Sequence, residues 1–212
     1  MLKERERGRF ITLEGGEGSG KSTQALRLAS ALALCGVPVL RTREPGGAPG
    51  SERIRGLLLG GGGWDGVAET MLHFAARREH LARTIIPALS AGIWVVSDRF
   101  VDSTLAYQCF AQGVPRRVWD DLAALSLEGV WPDLTFILDL APEEGLARAA
   151  ARGPVNRYEA LDLAFHARVR DGFRAVAALA PARCVLLDAT DSPEGIAAAI
   201  LGIVRARLRL PS

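Results

Sequence analysis

The sequence is poor in lysine, in cysteine and in long apolar runs, and it carries almost no net charge. Its 26 Lys+Arg face 24 Asp+Glu, and a nucleic-acid coat or a membrane-surface binder would normally show a net basic field instead. No apolar run approaches the roughly 18 residues of a membrane span, and the start of the chain, Met1–Arg9, lacks the apolar core of a signal peptide. We therefore expect a cytoplasmic protein that binds neither nucleic acid nor membrane.

Cysteine is limited to Cys35, Cys109 and Cys184, which lie far apart in the sequence. Their odd number and the absence of a C-x-x-C spacing fit a reducing compartment and argue against a disulfide framework. We expect all three side chains to be small buried hydrophobic groups.

Lysine is the scarcest of the common charged residues: Lys3 and Lys21 are the only lysines, and Lys3 belongs to a charged leader. A genome that favours arginine codons explains the general bias, but it does not explain why Lys21 alone escapes it. Lysine presents a compact point charge, whereas arginine presents a planar fork. The exception therefore indicates a site that needs a point charge.

What the chain does contain is a regular alternation of short apolar runs with longer segments of helical period. At 212 residues and 49% hydrophobic content it can bury the core of one domain, and no change in composition marks a second. The alternation predicts an α/β fold of three layers, with helices on both faces of a five-stranded parallel sheet. The predicted strands are 10–13, 37–42, 93–97, 134–140 and 184–187. The predicted helices are 21–34, 51–59, 68–91, 103–112, 116–127, 142–152, 158–180 and 193–208.

Three local features refine this single domain, 1–212. The glycine tract Gly60 to Gly63 must end the helix before it. Ser192, followed by a proline and a glutamate, is typical of a helix N-cap. The irregular, arginine-bearing stretch at about 148–158 lies between two predicted helices, and we expect it to be a mobile lid.

A phosphate-binding loop follows the first predicted strand, and its sequence matches G-x-x-x-x-G-K-S/T. The flanking strand and helix are the context that this motif requires, so it predicts the P-loop NTPase fold. Glycines allow backbone N–H groups to face phosphate oxygens, and the helix N-terminus adds positive charge. Lys21 would reach the β- and γ-phosphates of ATP, and the Ser22 hydroxyl is a ligand for Mg²⁺. The predicted ATP-binding residues of the loop are Gly15, Gly16, Glu17, Gly18, Ser19, Gly20, Lys21, Ser22 and Thr23.

A second signal is Asp98, which ends the apolar run that begins at Ile93 and is placed like a carboxylate beside the magnesium ion. Arg99 follows it directly. The phosphate loop alone leaves a kinase, a GTPase, an ATPase or a synthetase open. Because no lysine follows Lys21, the Asn-Lys-x-Asp motif that reads guanine is absent, which argues against a GTP-driven switch.

Three segments together resemble the thymidylate kinase (dTMP kinase) family of the bacterial type, whose members are P-loop nucleoside monophosphate kinases. The segments are Phe10 to Thr23, Thr42-Arg-Glu-Pro-Gly-Gly47 and Asp98 to Gln108, and the likeness extends from about residue 9 to about residue 200. It implies transfer of the γ-phosphoryl group of ATP, with Mg²⁺, to the 5′-phosphate of dTMP in dTTP biosynthesis. It also implies a homodimer packed through long helices.

The resemblance implies roles at the acceptor nucleotide. Glu17 accepts a hydrogen bond from the 3′-hydroxyl, Arg43 and Arg99 hold the 5′-phosphate, and Arg55 lines the same site. A phosphate monoester carries about 1.5 to 2 negative charges at neutral pH, which suits paired guanidinium groups.

The resemblance also assigns the base end of the site. Arg77 contacts a thymine carbonyl, Gln108 hydrogen-bonds the base edge, and Tyr107 packs under the sugar, where it would leave no room for a 2′-hydroxyl. Ser103 and Thr104 line the pocket. Where the family usually has a phenylalanine that stacks on thymine, this chain has His73, with Phe74 beside it. Either His73 stacks on the base or a local shift brings Phe74 over it.

On the donor side, residues 146–159 resemble the bacterial lid that supplies arginines to the ATP phosphates. The phosphate loop has no arginine of its own, so Arg148, Arg152 and Arg157 are candidates for the catalytic cation, beside Lys21 and Arg99. The segment Asp188, Ala189 and Thr190 matches the loop that packs against adenine.

Two alternatives stay open. One is a kinase of the same fold that acts on another nucleotide or on a deoxynucleoside. The other is a protein that hydrolyses ATP to switch interaction partners, for which Arg43, Arg99 and Gln108 would have no purpose.

Overall fold

The computed structural model describes residues 7–61, 63–151, 153, 157–208 and 210. In this part of the chain five strands form one sheet in the order β2-β3-β1-β4-β5, and each neighbouring pair is parallel. The prediction of an α/β fold with a five-stranded parallel sheet is confirmed. The strands are β1 Phe10–Gly15, β2 Val39–Arg43, β3 Trp94–Asp98, β4 Leu134–Asp139 and β5 Cys184–Asp188.

The helices follow the predicted pattern with shifted ends. Gly60 caps α2 at the start of the glycine tract, and the Ser192 hydroxyl accepts the N–H of Gly195 at 3.1 Å to begin α9, as predicted. The helices are α1 Lys21–Leu34, α2 Pro49–Leu59, α3 Gly66–His80, α4 Ile86–Ser90, α5 Val101–Thr104, α6 Arg116–Leu127, α7 Pro142–Ala150, α8 Leu163–Leu179 and α9 Pro193–Arg207. Stretches of π-helix at Leu81–Ile85 and Leu105–Ala111 continue α3 and α5.

Two cores lie on opposite faces of the sheet, because side chains alternate along each strand. Phe10 of β1 packs with the cluster formed by α3, α6 and α8, whereas Ile11 and Leu13 of the same strand pack against α1 and α9. In β4, Ile137 faces the first cluster and Phe136 the second. The three-layer arrangement follows from this alternation.

The sheet also explains where a ligand can bind. β1 is flanked by β3 and β4, so the chain crosses to opposite sides of it, and ligands of open parallel sheets bind at such a switch point, outside the carboxyl ends of the strands. In register, Asp98 lies beside Leu13 of β1 and beside Arg43 of β2. The phosphate loop, Asp98 and Arg43 therefore meet at one edge.

Two sequence expectations need correction. The helix predicted from 158 begins at Leu163, because the Asp162 carboxylate accepts the N–H of Phe165 at 2.7 Å and caps it there. This leaves Tyr158 in a turn. Of the cysteines, Cys184 is buried and Cys109 is half-buried, but Cys35 is exposed. Cys35 follows the last residue of α1 in the surface turn that leads to β2, so the expectation of a buried side chain was wrong there.

Among the described residues, no helix has the length and apolar character needed to cross a membrane.

The ion pair of Asp102 and Arg183 ties α5 to the start of β5. Both guanidinium nitrogens of Arg183 donate to the Asp102 carboxylate at 2.7 Å, and the side chains are 1% and 18% exposed. Arg183→Ala leaves a buried carboxylate without its partner and should lower the free energy of unfolding by about 3–5 kcal/mol.

Denaturant unfolding measures this loss. Arg83→Ala is the matched control, since Arg83 pairs with Glu79 at the surface, where such pairs contribute about 0–1 kcal/mol. Equal losses in the two variants would contradict the prediction.

Candidate active site

The phosphate loop joins β1 to α1 in a conformation that requires glycine. Gly18 has φ 65°, and a Cβ atom there would lie 1.9 Å from the backbone oxygen of Gly145. No other residue fits that space. The loop is therefore packed against the start of α7, and Lys21 begins α1 directly behind it.

Lys21 folds back over the loop. Its Nζ donates to the carbonyl of Gly16 at 2.5 Å and to Ser19 Oγ at 3.3 Å. Burial and the nearby charge of Arg99 lower the pKa of Lys21 to about 8, while Glu17 and Asp98 oppose the shift. The ammonium group thus keeps its charge at neutral pH, and phosphate oxygens could replace the two acceptors to which it donates.

Ser22 and Asp98 form an oxygen pair beside the loop. The Ser22 hydroxyl donates to Oδ2 of Asp98. Mg²⁺ binds oxygen ligands and usually takes one or two carboxylates together with waters and substrate phosphates. Among the described residues no group of three or more His, Cys, Asp or Glu side chains could hold a metal. The hydroxyl and carboxylate of this pair are of the ligand types that suit a magnesium ion, and could supply part of its ligand set.

Arg99 is the most constrained residue of the site. Its backbone has φ 69°, the left-handed region that costs a non-glycine residue roughly 1–3 kcal/mol. Its Nη1 donates to the carbonyl of Gly15 at 3.0 Å and to Ser103 Oγ at 3.1 Å. Its Nη2 donates to Glu17 Oε1 at 2.9 Å and to the Tyr107 oxygen at 3.1 Å. Four contacts thus fix the guanidinium plane.

Glu17 balances the charge of Arg99. Burial alone would raise the pKa of Glu17, but the charges of Arg99 and Lys21 outweigh it and lower the pKa to about 2. The Tyr107 hydroxyl also donates to Glu17 Oε1, at 2.8 Å. Glu17 is therefore an ionised hydrogen-bond acceptor at neutral pH.

A cavity of about 270 Å³ extends from the phosphate loop to α3 and the π-helix Leu105–Ala111. Fifteen of the residues that the sequence predicted for the site line it. They are Glu17, Gly18, Gly20, Lys21, Ser22, Arg43, Arg55, His73, Arg77, Asp98, Arg99, Ser103, Thr104, Tyr107 and Gln108. The fold thus brings these residues, which are up to about 90 positions apart in the sequence, to one cavity.

Arg55 differs from the other cavity arginines. Arg43 pairs with Glu52 at 3.1 Å, whereas Arg55 donates to the carbonyl of Pro45 at 2.7 Å, and no described carboxylate lies within ion-pair distance of it. Burial and the charge of Arg43 lower the pKa of Arg55. Glu52 and Asp98 oppose this shift from a distance. A half-buried cation that makes no direct ion pair with a described carboxylate favours an anionic ligand.

Arg77 leaves one donor unused. The residue is 2% exposed, and its Nε donates to Glu44 at 2.8 Å. Its Nη2 donates to the carbonyl of Phe100 and to Thr104 Oγ1, but Nη1 has no hydrogen-bond partner among the described residues. Buried donors are nearly always satisfied. Nη1 is therefore a buried donor without a partner in the described part of the chain, on a residue that lines the cavity.

His73 and Phe74 occupy different environments. His73 lines the cavity, its Nε2 lies 3.0 Å from the Tyr158 oxygen, and burial and the charge of Arg77 lower its pKa to about 4. Phe74 is 1% exposed and packs edge-on against Trp119 in the core. Successive helix residues point about 100° apart, so of the two rings only that of His73 lines the cavity. The structure has no shift that brings Phe74 to the cavity.

The two described lid arginines, Arg148 and Arg157, make their contacts away from the phosphate loop. Arg148 donates to the carbonyl of Ala189 at 3.1 Å and to Glu144, one helical turn away. Arg157 donates to the carbonyl of Leu58 and to Glu69. Neither lines the cavity, because carboxylates hold both elsewhere, and Arg152 lies outside the described residues, as do 154–156 of the lid.

The loop predicted to meet adenine follows β5 at the same edge of the sheet. Thr190 donates through its N–H and its hydroxyl to Asp188 Oδ1, and the N–H of Ala189 donates to the carbonyl of Asp139. These bonds fix the turn, while its contact with adenine stays a prediction.

Sequence reasoning missed the carboxylates behind the site. Glu44 accepts a hydrogen bond from Arg77 and another from His80 Nδ1 at 3.0 Å. Glu69 accepts a hydrogen bond from Gln108. A signal was available: positions 69, 73, 77 and 80 fall on one face of a helix, and a polar stripe at helical spacing is unusual on a face that turns out to be buried.

The pKa of Glu17 predicts a pH dependence of stability. Because its pKa falls from 4.5 to about 2 on folding, the stabilisation is complete above the ordinary value and is lost as the pH drops towards the folded value. The full contribution is on the order of 3 kcal/mol.

Urea unfolding of the wild type and of Glu17→Gln over this acidic range checks it. We expect the variant to lose less stability on acidification, with Glu79→Gln as the surface control. If the free energy of unfolding fell equally with pH in the wild type and in Glu17→Gln, the result would be inconsistent with the ion pair.

The comparisons with known proteins agree with this geometry. The family model described as thymidylate kinase matches residues 13–200. The thymidylate kinase of Bradyrhizobium sp. (strain ORS 278) is 48% identical over 207 residues, which cover 95% of this chain and 92% of that protein. The thymidylate kinase of Caulobacter vibrioides is 48% identical over 205 residues, 96% of this chain and 99% of the other.

A solved structure supports the same assignment. The crystal structure of thymidylate kinase from Ehrlichia chaffeensis is 36% identical, with a TM-score of 0.78 over 94% of this chain and 99% of that chain. Sequence and fold thus agree along nearly the whole length. The chain belongs to the thymidylate kinase family.

Proposed function

We propose that this protein transfers the γ-phosphoryl group of ATP to the 5′-phosphate of dTMP, giving dTDP and ADP, as a step of dTTP biosynthesis. Family membership supports a phosphotransferase. The observation that carries the proposal is the shared cavity: Lys21 and Ser22 line it at one end, Arg77 and Gln108 at the other, and Arg99 lies beside the loop. A donor phosphate and an acceptor nucleotide can meet there.

The reaction needs no general base. The second pKa of a phosphate monoester is about 6, so the attacking oxygen is already ionised at neutral pH. His73, whose pKa is about 4, stays a neutral imidazole at this pH, and the transfer requires no proton from it. Catalysis then depends on positioning and on neutralising charge, as is typical of phosphoryl transfer.

The acceptor phosphate is proposed to bind between Arg55 and Arg99, with Arg43 nearby. Arg55 has no carboxylate partner among the described residues, and the Arg99 fork is already oriented by the loop. Bidentate guanidinium contacts suit a phosphate that carries close to two charges. The ionised Glu17 would then accept the 3′-hydroxyl of the sugar.

On the donor side, the Lys21 ammonium group is proposed to contact the β- and γ-phosphates of ATP. This contact would replace its present hydrogen bond to the Gly16 carbonyl. Ser22 and Asp98 would hold Mg²⁺, which offsets the charge on those phosphates when bound. The lid at about 148–158 is proposed to close over ATP, with adenine against residues 188–190. To supply the catalytic cation, Arg148 must leave Glu144 and Arg157 must leave Glu69.

The base is proposed to lie against His73, with Nη1 of Arg77 facing a thymine carbonyl. Phe74 is not part of this proposal, since it is packed in the core. Tyr107, whose hydroxyl is held by Glu17 and Arg99, is proposed to pack under the sugar and to leave no room for a 2′-hydroxyl.

We further propose that the protein is a cytoplasmic homodimer, as the family resemblance implies. Apolar side chains support an interface on α2 and α3: Leu57 is 53% exposed, Met71 is 52% exposed, and Trp64 between these helices is 40% exposed.

A panel of acceptors assayed for ADP release tests the function. We expect dTMP to be turned over faster than thymidine, dCMP, dGMP or AMP, and we expect little hydrolysis without an acceptor. Faster turnover of thymidine would favour the deoxynucleoside kinase, and acceptor-independent hydrolysis would favour an ATP-driven switch.

Substitution of Lys21 tests the phosphate loop in the same assay. Lys21→Ala should lower kcat by about 10²–10³-fold, because a charge preorganised at the transferring phosphate is lost. Arg27→Ala, on the exposed side of α1 where Arg27 pairs with Glu194, is the control and should keep its activity. Normal turnover by a folded Lys21→Ala protein would refute the assignment.

A further inference from the structure

Glu69 is the shared acceptor of several hydrogen bonds at the end of the cavity where Arg77 and Gln108 lie. The residue lies on α3 and is 0% exposed. Its Oε1 accepts Gln108 Nε2 at 2.9 Å, Gln112 Nε2 at 2.9 Å and the Tyr158 hydroxyl at 3.0 Å, while its Oε2 accepts Arg157. Burial opposes ionisation of Glu69, but the hydrogen bonds from Gln112, Arg157 and Gln108 outweigh it and lower its pKa.

An ionised carboxylate can only accept hydrogen bonds, so it fixes which way its partners turn. The amide of Gln108 must direct Nε2 to Glu69, and its Oε1 is then directed away from it. Gln108 lines the cavity, and no described donor bonds to its Oε1. An acceptor is therefore left for a ligand.

We propose that Glu69 is a positioning residue that sets how Gln108 reads the base, an inference that rests on the proposed function. With Glu69 in place, the cavity offers an acceptor, Oε1 of Gln108, and a donor, Nη1 of Arg77. An imide edge, such as that of thymine or uracil, presents an N–H donor beside a carbonyl acceptor and matches both. At its N3–C4 edge cytosine presents the reverse pattern, a ring-nitrogen acceptor beside an amino donor, and in that orientation it matches neither.

The same carboxylate orients the ring at the cavity. Tyr158 gives its only hydroxyl proton to Glu69, so His73 must donate Nε2–H to the Tyr158 oxygen. This fixes the neutral tautomer of His73. Glu69, His73 and Arg77 lie at helical spacing on α3, and one helix thus carries both the side chains that meet the base and the carboxylate that aligns them.

The test is the ratio of kcat/KM for dTMP to kcat/KM for dCMP. Glu69→Met removes the acceptor and frees Gln108 to present either amide atom. We expect the ratio to fall about tenfold, the factor that a hydrogen bond of about 1.4 kcal/mol represents. Loss of packing alone would lower kcat/KM for dTMP and kcat/KM for dCMP by the same factor, and their ratio would not change.

Two further variants separate positioning from packing. Glu69→Gln should keep most of the ratio, because three donors converge on Oε1 and one on Oε2, so the amide oxygen stays towards Gln108. Gln112→Met is the matched control: it removes a donor from Glu69 without touching the bond to Gln108, and it should preserve the ratio. A tenfold fall in this control would contradict the inference.

The outcomes also separate this inference from the proposed function. A wild type that does not prefer dTMP refutes the function itself. A wild type that prefers dTMP, together with a folded Glu69→Met protein whose ratio is unchanged, refutes only the role of Glu69. If Glu69→Met does not fold, Glu69→Asp replaces it: the shorter side chain withdraws from Gln108 and should lower the ratio in the same direction, and an unchanged ratio would overturn the proposal.

Discussion

The ion pair between Arg99 and Glu17 is the contact on which the site depends. It joins the residue after β3 to the middle of the phosphate loop, with 2.9 Å between the charged atoms. A buried guanidinium group is costly unless it is paired and hydrogen-bonded. Glu17 supplies the charge, while Gly15, Ser103 and Tyr107 supply further partners, so the left-handed backbone of Arg99 is held by its surroundings. Arg99 thus joins the phosphate loop to Ser103 and Tyr107 on the other side of the cavity.

A second constraint comes from α3, which turns polar side chains inward. Glu69, His73, Arg77 and His80 lie along one face of this helix or at its end, and each has a partner from another element. Glu44, next to the end of β2, receives both Arg77 and His80. Such a network is stable only when nearly every member is satisfied. In this network Nη1 of Arg77 and Oε1 of Gln112 are the buried atoms left without a hydrogen-bond partner among the described residues.

Much of the fold could be predicted from the sequence, because it depends on local patterns. Alternating apolar runs predicted the five strands, and the glycine spacing around Lys21 predicted the phosphate loop and its helix. The choice between His73 and Phe74 was not accessible, since it depends on which face of α3 meets the core. The pairing of Glu69 with Gln108 was hidden for a related reason: the two positions are 39 residues apart and meet only through packing of α3 on the second π-helix.

The lid shows the same limit. The resemblance of residues 146–159 to the bacterial lid made Arg148, Arg152 and Arg157 candidates, but it does not reveal which carboxylate each one meets. Arg148 and Arg157 are both paired away from the phosphate loop. The central claim is that one cavity orients dTMP towards the loop, and a crystal structure of the protein with dTMP tests it most directly. We predict the 5′-phosphate at Arg55 and Arg99 and the thymine edge at Gln108 Oε1 and Arg77 Nη1. A nucleotide bound in the opposite direction, or outside this cavity, would contradict the account.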